Sequence, residues 1–224
     1  MPRTARATVA GYCYHLINRG NNQARIFHEH ADYAAFLSLI AETQQRIALP
    51  ILAACLMPNH VHLVVRPAGD NDLSSWTHLL FTTHVRRYHR KYGTTGRLWQ
   101  GRFKAFPIQQ DNHLITVMRY VERNALRAGL VARAEHWCWS SLGWRALQAT
   151  WNIDLTPSPV PLPENWIAYV NEPQTPAEVE SIRICIQRQR PFGVEHWVER
   201  EAHDLGLLQS VAPIGRPRLK RRSK

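Results

Sequence analysis

Apolar residues along this chain repeat with two different periods. Residues 12–18 (YCYHLIN) alternate at period two, the signature of a strand. Arg19-Gly20-Asn21-Asn22 then reads as a turn. Over 32–48 the spacing becomes helical: Tyr33, Phe36, Leu37, Ile40 and Ile47 fit one broad face, and Pro50 ends it. Residues 51–57 (ILAACLM) and 60–66 (HVHLVVR) are short, rich in Ile, Leu and Val, and separated by Pro58-Asn59. That pattern predicts two adjacent strands.

Asp72 is the expected N-cap of a long helix reaching about residue 92, with Gly93 and Gly96 ending it. Residues 97–109 read as one or two strands bent at Gly101. Asp111 or Asn112 caps a helix running to about 128, with Gly129 at its C′ position. Residues 137–147 predict a further helix whose tryptophans suit a core or an interdomain contact better than base stacking. After Trp151 the composition changes. Residues 156–166 hold four prolines and read as a linker or extended arm, and helical stretches follow over 176–189 and 191–207. The expected organisation is a domain over 1–150 and a C-terminal extension over 151–224.

Charge narrows the function. The 224 residues carry 28 Lys and Arg against 17 Asp and Glu, a net charge of +11, which favours a polyanionic partner. Cys13, Cys55, Cys138 and Cys185 form no C-x-x-C pair, so a zinc ribbon or disulfide framework is not expected. No apolar run reaches the roughly 18 residues that span a bilayer, and the basic N-terminus has no apolar segment behind it. These features predict a cytoplasmic protein, free or on the nucleoid, with no membrane partner. No G-x-x-x-x-G-K-[ST] segment occurs, so no nucleotide cofactor is expected.

Two local features carry chemistry. In MPNHVHLVVRP (57–67), His60 and His62 share one strand face while Val61 points the other way into a core. Two imidazoles side by side are half of a metal site, although an isolated H-x-H also arises by chance among 12 histidines. In RYVERNALRAGLV (119–131), Tyr120 and Asn124 lie one helical turn apart on one face, and Leu114, Val117, Met118, Val121 and Ala125 supply a buried stripe. Tyr120 is placed to offer a phenol, or to be a half-buried core tyrosine. Asn124 is placed to offer an amide oxygen to a hard cation, or to be an exposed polar residue. Taken together they meet the needs of phosphodiester chemistry: a Lewis acid on a non-bridging oxygen and a nucleophile in line.

With GRLWQGRFKAFPI (96–108) between them, these segments resemble the single-tyrosine HUH transposases, and more closely the REP-associated tyrosine transposases tied to repetitive extragenic palindromes. The resemblance covers about 10–145, and the ending over 191–207 and 215–220 is also similar to that group's extension. It implies an α+β fold, an antiparallel sheet flanked by helices around a ferredoxin- or RRM-like core. It implies that His60 and His62 bind Mg²⁺ or Mn²⁺ and that Asn124 completes the site. It implies that Tyr120 cleaves single-stranded or hairpin DNA, forming a 5′-phosphotyrosine and a free 3′-hydroxyl. NALRAGLV stands here where many relatives read NPVRAGLV. A DNA-hairpin-binding protein without catalysis, and a hydrolase in which His60 and His62 activate water, remain alternatives at this point.

Candidate DNA contacts follow the charge. Arg86, Arg87, Arg90 and Lys91 cluster at a helix end, suiting hairpin-stem phosphates or a solvated face. Arg97, Arg102 and Lys104 interleave with Trp99 and Phe103, which suits a single strand unless both aromatics are core. Asn18 and Arg19 open a polar loop able to read base edges. Arg216 and Arg218, in a tail of six basic residues, suit a minor-groove hook or a generic basic tail that adds affinity. A monomer is favoured over a dimer.

Overall fold

A computed structural model describes residues 8–149 and 151–212. Four strands form one antiparallel sheet in the order β2-β3-β1-β4: β1 (Cys13–Arg19), β2 (Ile51–Met57), β3 (His60–Val65) and β4 (Lys104–Ile108). The alternation read from the sequence sets the two faces. Leu16, Leu56, Val61, Leu63 and Val65 look to one side, against α1 (His30–Arg46) and α2 (Asp72–Tyr92). Cys13, Cys55, Met57, Val64, Phe106 and Ile108 look to the other, against α3 (Asn112–Glu122). This is the expected α+β fold.

Several boundaries shift for identifiable reasons. The second helix is capped from Asn71, and Asp72 is its first residue; its carboxylate accepts from Gly69 N at 2.6 Å. The first begins at His30 because Glu29 and Asp32 close a reciprocal capping box. Of 97–109, only Lys104–Ile108 is a strand; Trp99 makes an isolated bridge to Gly20. The helix expected over 111–128 is capped by Asp111 as foreseen, but breaks at Arg123 and resumes as α4 (Asn124–Arg127). Gly129, at φ +69°, closes it, with Leu130 N donating to Ala125 O. Residues 137–140 are not helical, and α5 covers only Ser141–Leu147.

The C-terminal third completes this body. Residues 151–165 are an extended arm, in which Leu155 bridges to Ile51 beside the β2 edge. The arm leads to α6 (Trp166–Asn171), α7 (Pro176–Arg188) and α8 (Glu195–Asp204). Phe192 bridges to Ile108 and covers the β4 edge, which also explains how Pro107 is tolerated there. Trp166, Val170, Ile182 and Cys185 join the α3-side core. Trp139 stacks on Tyr33 with ring centroids 4.8 Å apart, so the tryptophans of 137–144 act as core. Cys13, Cys55 and Cys185 are buried free thiols and Cys138 is a partly buried one. Among the described residues, no helix is long and apolar enough to cross a membrane.

Candidate active site

The β2–β3 hairpin fixes the histidines. Its Pro58-Asn59 turn is clamped by the preceding loop: Ile26 N and Phe27 N donate to Pro58 O, and Gly20 N donates to Asn59 O. Gly20 is required there, since a Cβ would lie 2.3 Å from Ala24 O. Asn59 Nδ2 donates to Gln23 O, leaving Asn59 Oδ1 to accept from His60 Nδ1 at 2.6 Å. His60 thereby keeps the lone pair of Nε2 for a ligand. His62, one pleat further, packs against His60 with ring centroids 4.8 Å apart.

Behind them lies a histidine that strand alternation alone did not single out. His15 Nε2 is 2.8 Å from His62 Nδ1, and the two rings stack at 5.0 Å. One proton is shared across that contact. When His62 Nδ1–H donates, His62 Nε2 is free to ligate, in the manner of supported metal histidines. The clue in the sequence was a polar residue within an otherwise apolar strand at 12–18.

Tyr120 approaches from α3, its ring centroid 5.9 Å from His62 and 6.2 Å from His15. Asn124 follows one turn later and is buried. Arg127 joins them: its guanidinium carbon lies 4.0 Å from the Tyr120 ring centroid, and its Nη2 donates to Asn124 Oδ1 at 3.1 Å. Helical spacing of seven from Tyr120 and three from Asn124 could have flagged this arginine. The predicted stripe Leu114, Val117, Met118, Val121 and Ala125 is buried, but so are Arg119 and Glu122 on other faces of the helix. There Arg119 Nη2 donates to Glu172 O and Arg123 Nη1 to Val170 O, capping the end of α6. Glu122 binds Trp166, Ser141 and Arg145.

These side chains open onto a cleft of about 750 Å³. Asn18, Arg19, Arg102 and Lys104 line it, as do Arg183, Ile186 and Gln187 of α7, which no local pattern in the chain placed there. Its rim therefore holds Arg19, Arg102, Lys104, Arg127 and Arg183, with no carboxylate among the described lining residues. Asn18 and Arg102 also face a second cleft, lined by Phe81, Trp99 and Phe103. The other candidate contacts lie away from the main cleft. Arg86, Arg90 and Arg97 are exposed; Arg87 pairs with Glu42 at 2.9 Å, and Lys91 pairs with Glu29 and Asp32, tying α2 to α1. Arg216 and Arg218 lie outside the described residues.

Burial decides the protonation of the histidines. Desolvation, helped by the positive charges of Arg19 and Arg127, lowers His60 to about 3. Desolvation, then His60 and Arg127, lowers His15 to about 3, and burial holds His62 well below its ordinary value. All three stay neutral, the form that ligates metal. The unfolded chain takes up protons as pH falls below about 6.5, whereas the folded chain does not until pH nears about 3. The stability these groups contribute is whole above about 6.5 and lost as pH falls toward about 3. We expect Tm to decline steadily from pH 7 to pH 4 in thermal melts. A flat profile would contradict buried neutral imidazoles.

The donor set suits a divalent cation in type: two neutral imidazole nitrogens and one amide oxygen. It is poor in charge. Among the described residues no group of three or more His, Cys, Asp or Glu gathers as a metal site.

The family model described as "Transposase IS200 like" matches residues 8–124. A protein of Haemophilus influenzae assigned as a REP-associated tyrosine transposase is 26% identical over 117 residues. That match covers 47% of this chain and 66% of the relative, just under two thirds of its length. A solved structure of a REP-associated tyrosine transposase bound to a REP hairpin aligns at TM-score 0.55 and 20% identity, covering 70% of this chain and 92% of that one. At that identity the alignment bears on the fold, and it has the same α+β architecture. A structure assigned as a transposase from Deinococcus radiodurans aligns at TM-score 0.38 and 18% identity, over 54% of this chain and 96% of that one. With the family match spanning more than half of its length, the chain belongs to the IS200-like transposase family.

Proposed function

We propose that this protein cuts and rejoins single-stranded, palindromic DNA of the REP-hairpin kind, with Tyr120 as nucleophile. The observation that carries the reading is the convergence of Tyr120, Asn124, His60 and His62 on one cleft ringed by cations. Family membership makes DNA cleavage the expected reaction class. The hairpin-bound neighbour and the Haemophilus relative suggest the REP-like substrate.

In this reading the phenolic oxygen of Tyr120 loses its proton and bonds to phosphorus. The bond from phosphorus to the 3′ oxygen breaks, and that oxygen leaves as a hydroxyl after taking up a proton. The product is a 5′-phosphotyrosine that keeps the phosphodiester energy for rejoining, so no nucleotide is consumed. His60, His62 and Asn124 would hold Mg²⁺ or Mn²⁺, which supplies Lewis-acid stabilisation of phosphate charge when bound. His15 and Asn59 orient the two imidazoles, and Arg127 fixes the Tyr120 ring by a cation–π contact. Arg19, Arg102, Lys104 and Arg183 draw the DNA backbone into the cleft. We assign catalysis to residues 1–150, and to the extension from 151 onward added DNA affinity, in a monomer.

The test is incubation with a panel of single-stranded palindromes and Mg²⁺ or Mn²⁺, resolved on denaturing gels. A metal-dependent covalent protein–DNA adduct is expected. Binding without adduct would favour a hairpin-binding protein, and cleavage without adduct would favour a hydrolase.

The α7 wall gives a separate expectation. Arg183→Ala should lower the slope of log affinity against log salt by about 0.7, the increment of one phosphate contact on a single strand. Fluorescence anisotropy across a salt series measures this, and an unchanged slope would remove Arg183 from the DNA path.

A further inference from the structure

In the proposed site Asn124 Oδ1 would serve two cationic partners. One is Arg127, whose Nη2 donates to it at 3.1 Å. The other is the divalent cation of the proposed site, so any competition between the two rests on that reading. An amide oxygen has two lone pairs, but a guanidinium on one of them repels a dication on the other. Three further observations place Arg127 at the heart of the site. Its guanidinium lies over the Tyr120 ring at 4.0 Å. Its Nη1 is buried without a hydrogen-bond partner among the described residues, as is Asn124 Nδ2. Both residues line the same cleft as His60 and His62.

We propose that Arg127 competes with the divalent cation for Asn124 Oδ1, so that metal binding must release the guanidinium from the asparagine. The released guanidinium stays over the nucleophile, with two nitrogens able to meet a DNA phosphate. An arginine so placed sets metal affinity low in the free protein and couples metal binding to arrival of the anionic substrate. The buried Nη1 is then accounted for, because a phosphate oxygen is the missing acceptor. Arg127 thus positions Asn124 and Tyr120 and, once released, also meets the substrate phosphate.

The experiment is a Mn²⁺ titration of the purified full-length protein without DNA, read by loss of the free-ion electron paramagnetic resonance signal. Wild type is compared with Arg127→Met and Arg183→Met. Each variant removes one cation from the cleft, but only the first frees Asn124. Arg127→Met should bind Mn²⁺ about tenfold more tightly than wild type, with Arg183→Met within about twofold. Added hairpin DNA should tighten wild type more than it tightens Arg127→Met. A variant that merely loosened the fold would weaken binding instead. Equal tightening in both variants would mean simple charge removal and overturn the competition. Binding in wild type that Arg127→Met leaves equal or weaker would overturn it as well, with the metal site intact. Failure of all three proteins to take up Mn²⁺ would bring down the metal site itself. If Arg127→Met folds poorly, Arg127→Gln carries the same comparison.

Discussion

Tyr120→Phe is expected to abolish the covalent adduct while leaving hairpin affinity within about twofold. The substitution removes a single oxygen. The ring is buried, held edge-on by His15 and His62 and covered by Arg127, and none of these contacts needs the hydroxyl. Packing and the cationic rim are therefore retained. The loss of adduct should be complete, because a phenylalanine ring has no atom able to bond to phosphorus. Tyr88 and Tyr92 cannot substitute: Tyr92 donates to Asp32 at 2.7 Å and Tyr88 bonds His28 at 2.9 Å, both over α1 and α2 on the opposite side of the sheet. The measurement pairs a denaturing gel for adduct with anisotropy for binding. Adduct surviving in Tyr120→Phe would take the nucleophile's role from this residue. Loss of binding together with adduct would mean the hydroxyl belongs to the DNA interface.

The largest loss of stability is expected at Glu122, whose side chain bonds Trp166, Ser141 and Arg145 rather than any residue of the cleft. Its carboxylate is fully buried between α3, α5 and α6. It accepts from Trp166 Nε1 at 2.7 Å and from Ser141 Oγ at 2.5 Å, and pairs with Arg145. Glu122→Ala removes the shared acceptor of three donors. Arg145 is partly exposed and can turn to water, but Trp166 Nε1 and Ser141 Oγ remain buried. Leaving a buried donor such as Trp166 Nε1 without its acceptor costs about 1–3 kcal/mol. Glu122→Gln keeps the shape and one acceptor oxygen, so it should lose clearly less. Urea unfolding of both variants checks the order. A loss below about 1 kcal/mol in Glu122→Ala would show that the network is dispensable.

Both expectations separate what is local from what is not. Strand alternation at 60–65 put His60 and His62 on one face, because the period of a pleated strand is set by covalent geometry. Helical spacing put Tyr120 and Asn124 on one side of a helix for the same kind of reason. Turn and capping residues at Pro58-Asn59, Asp111 and Gly129 were legible because they act within a few residues of themselves. The motifs in their order, MPNHVHLVVRP, GRLWQGRFKAFPI and RYVERNALRAGLV, also carried the resemblance to the REP-associated transposases.

The sequence alone did not determine what meets across the sheet. His15 reaches His62 only because β1 lies beside β3 in a register that pairs Ile17 with His62. Nothing local to α2 showed that Arg87 would pair with Glu42, or Lys91 with Glu29 and Asp32, because those carboxylates are brought by α1 and its cap. Residues 151–188 read as an appendage, yet they bury one side of α3, receive capping bonds from Arg119 and Arg123, and bring Arg183 to the cleft. Periodicity records which side chains of one element share a face. The partner of that face is chosen by chain crossings tens of residues apart, and it was tertiary packing that turned two half-sites into one.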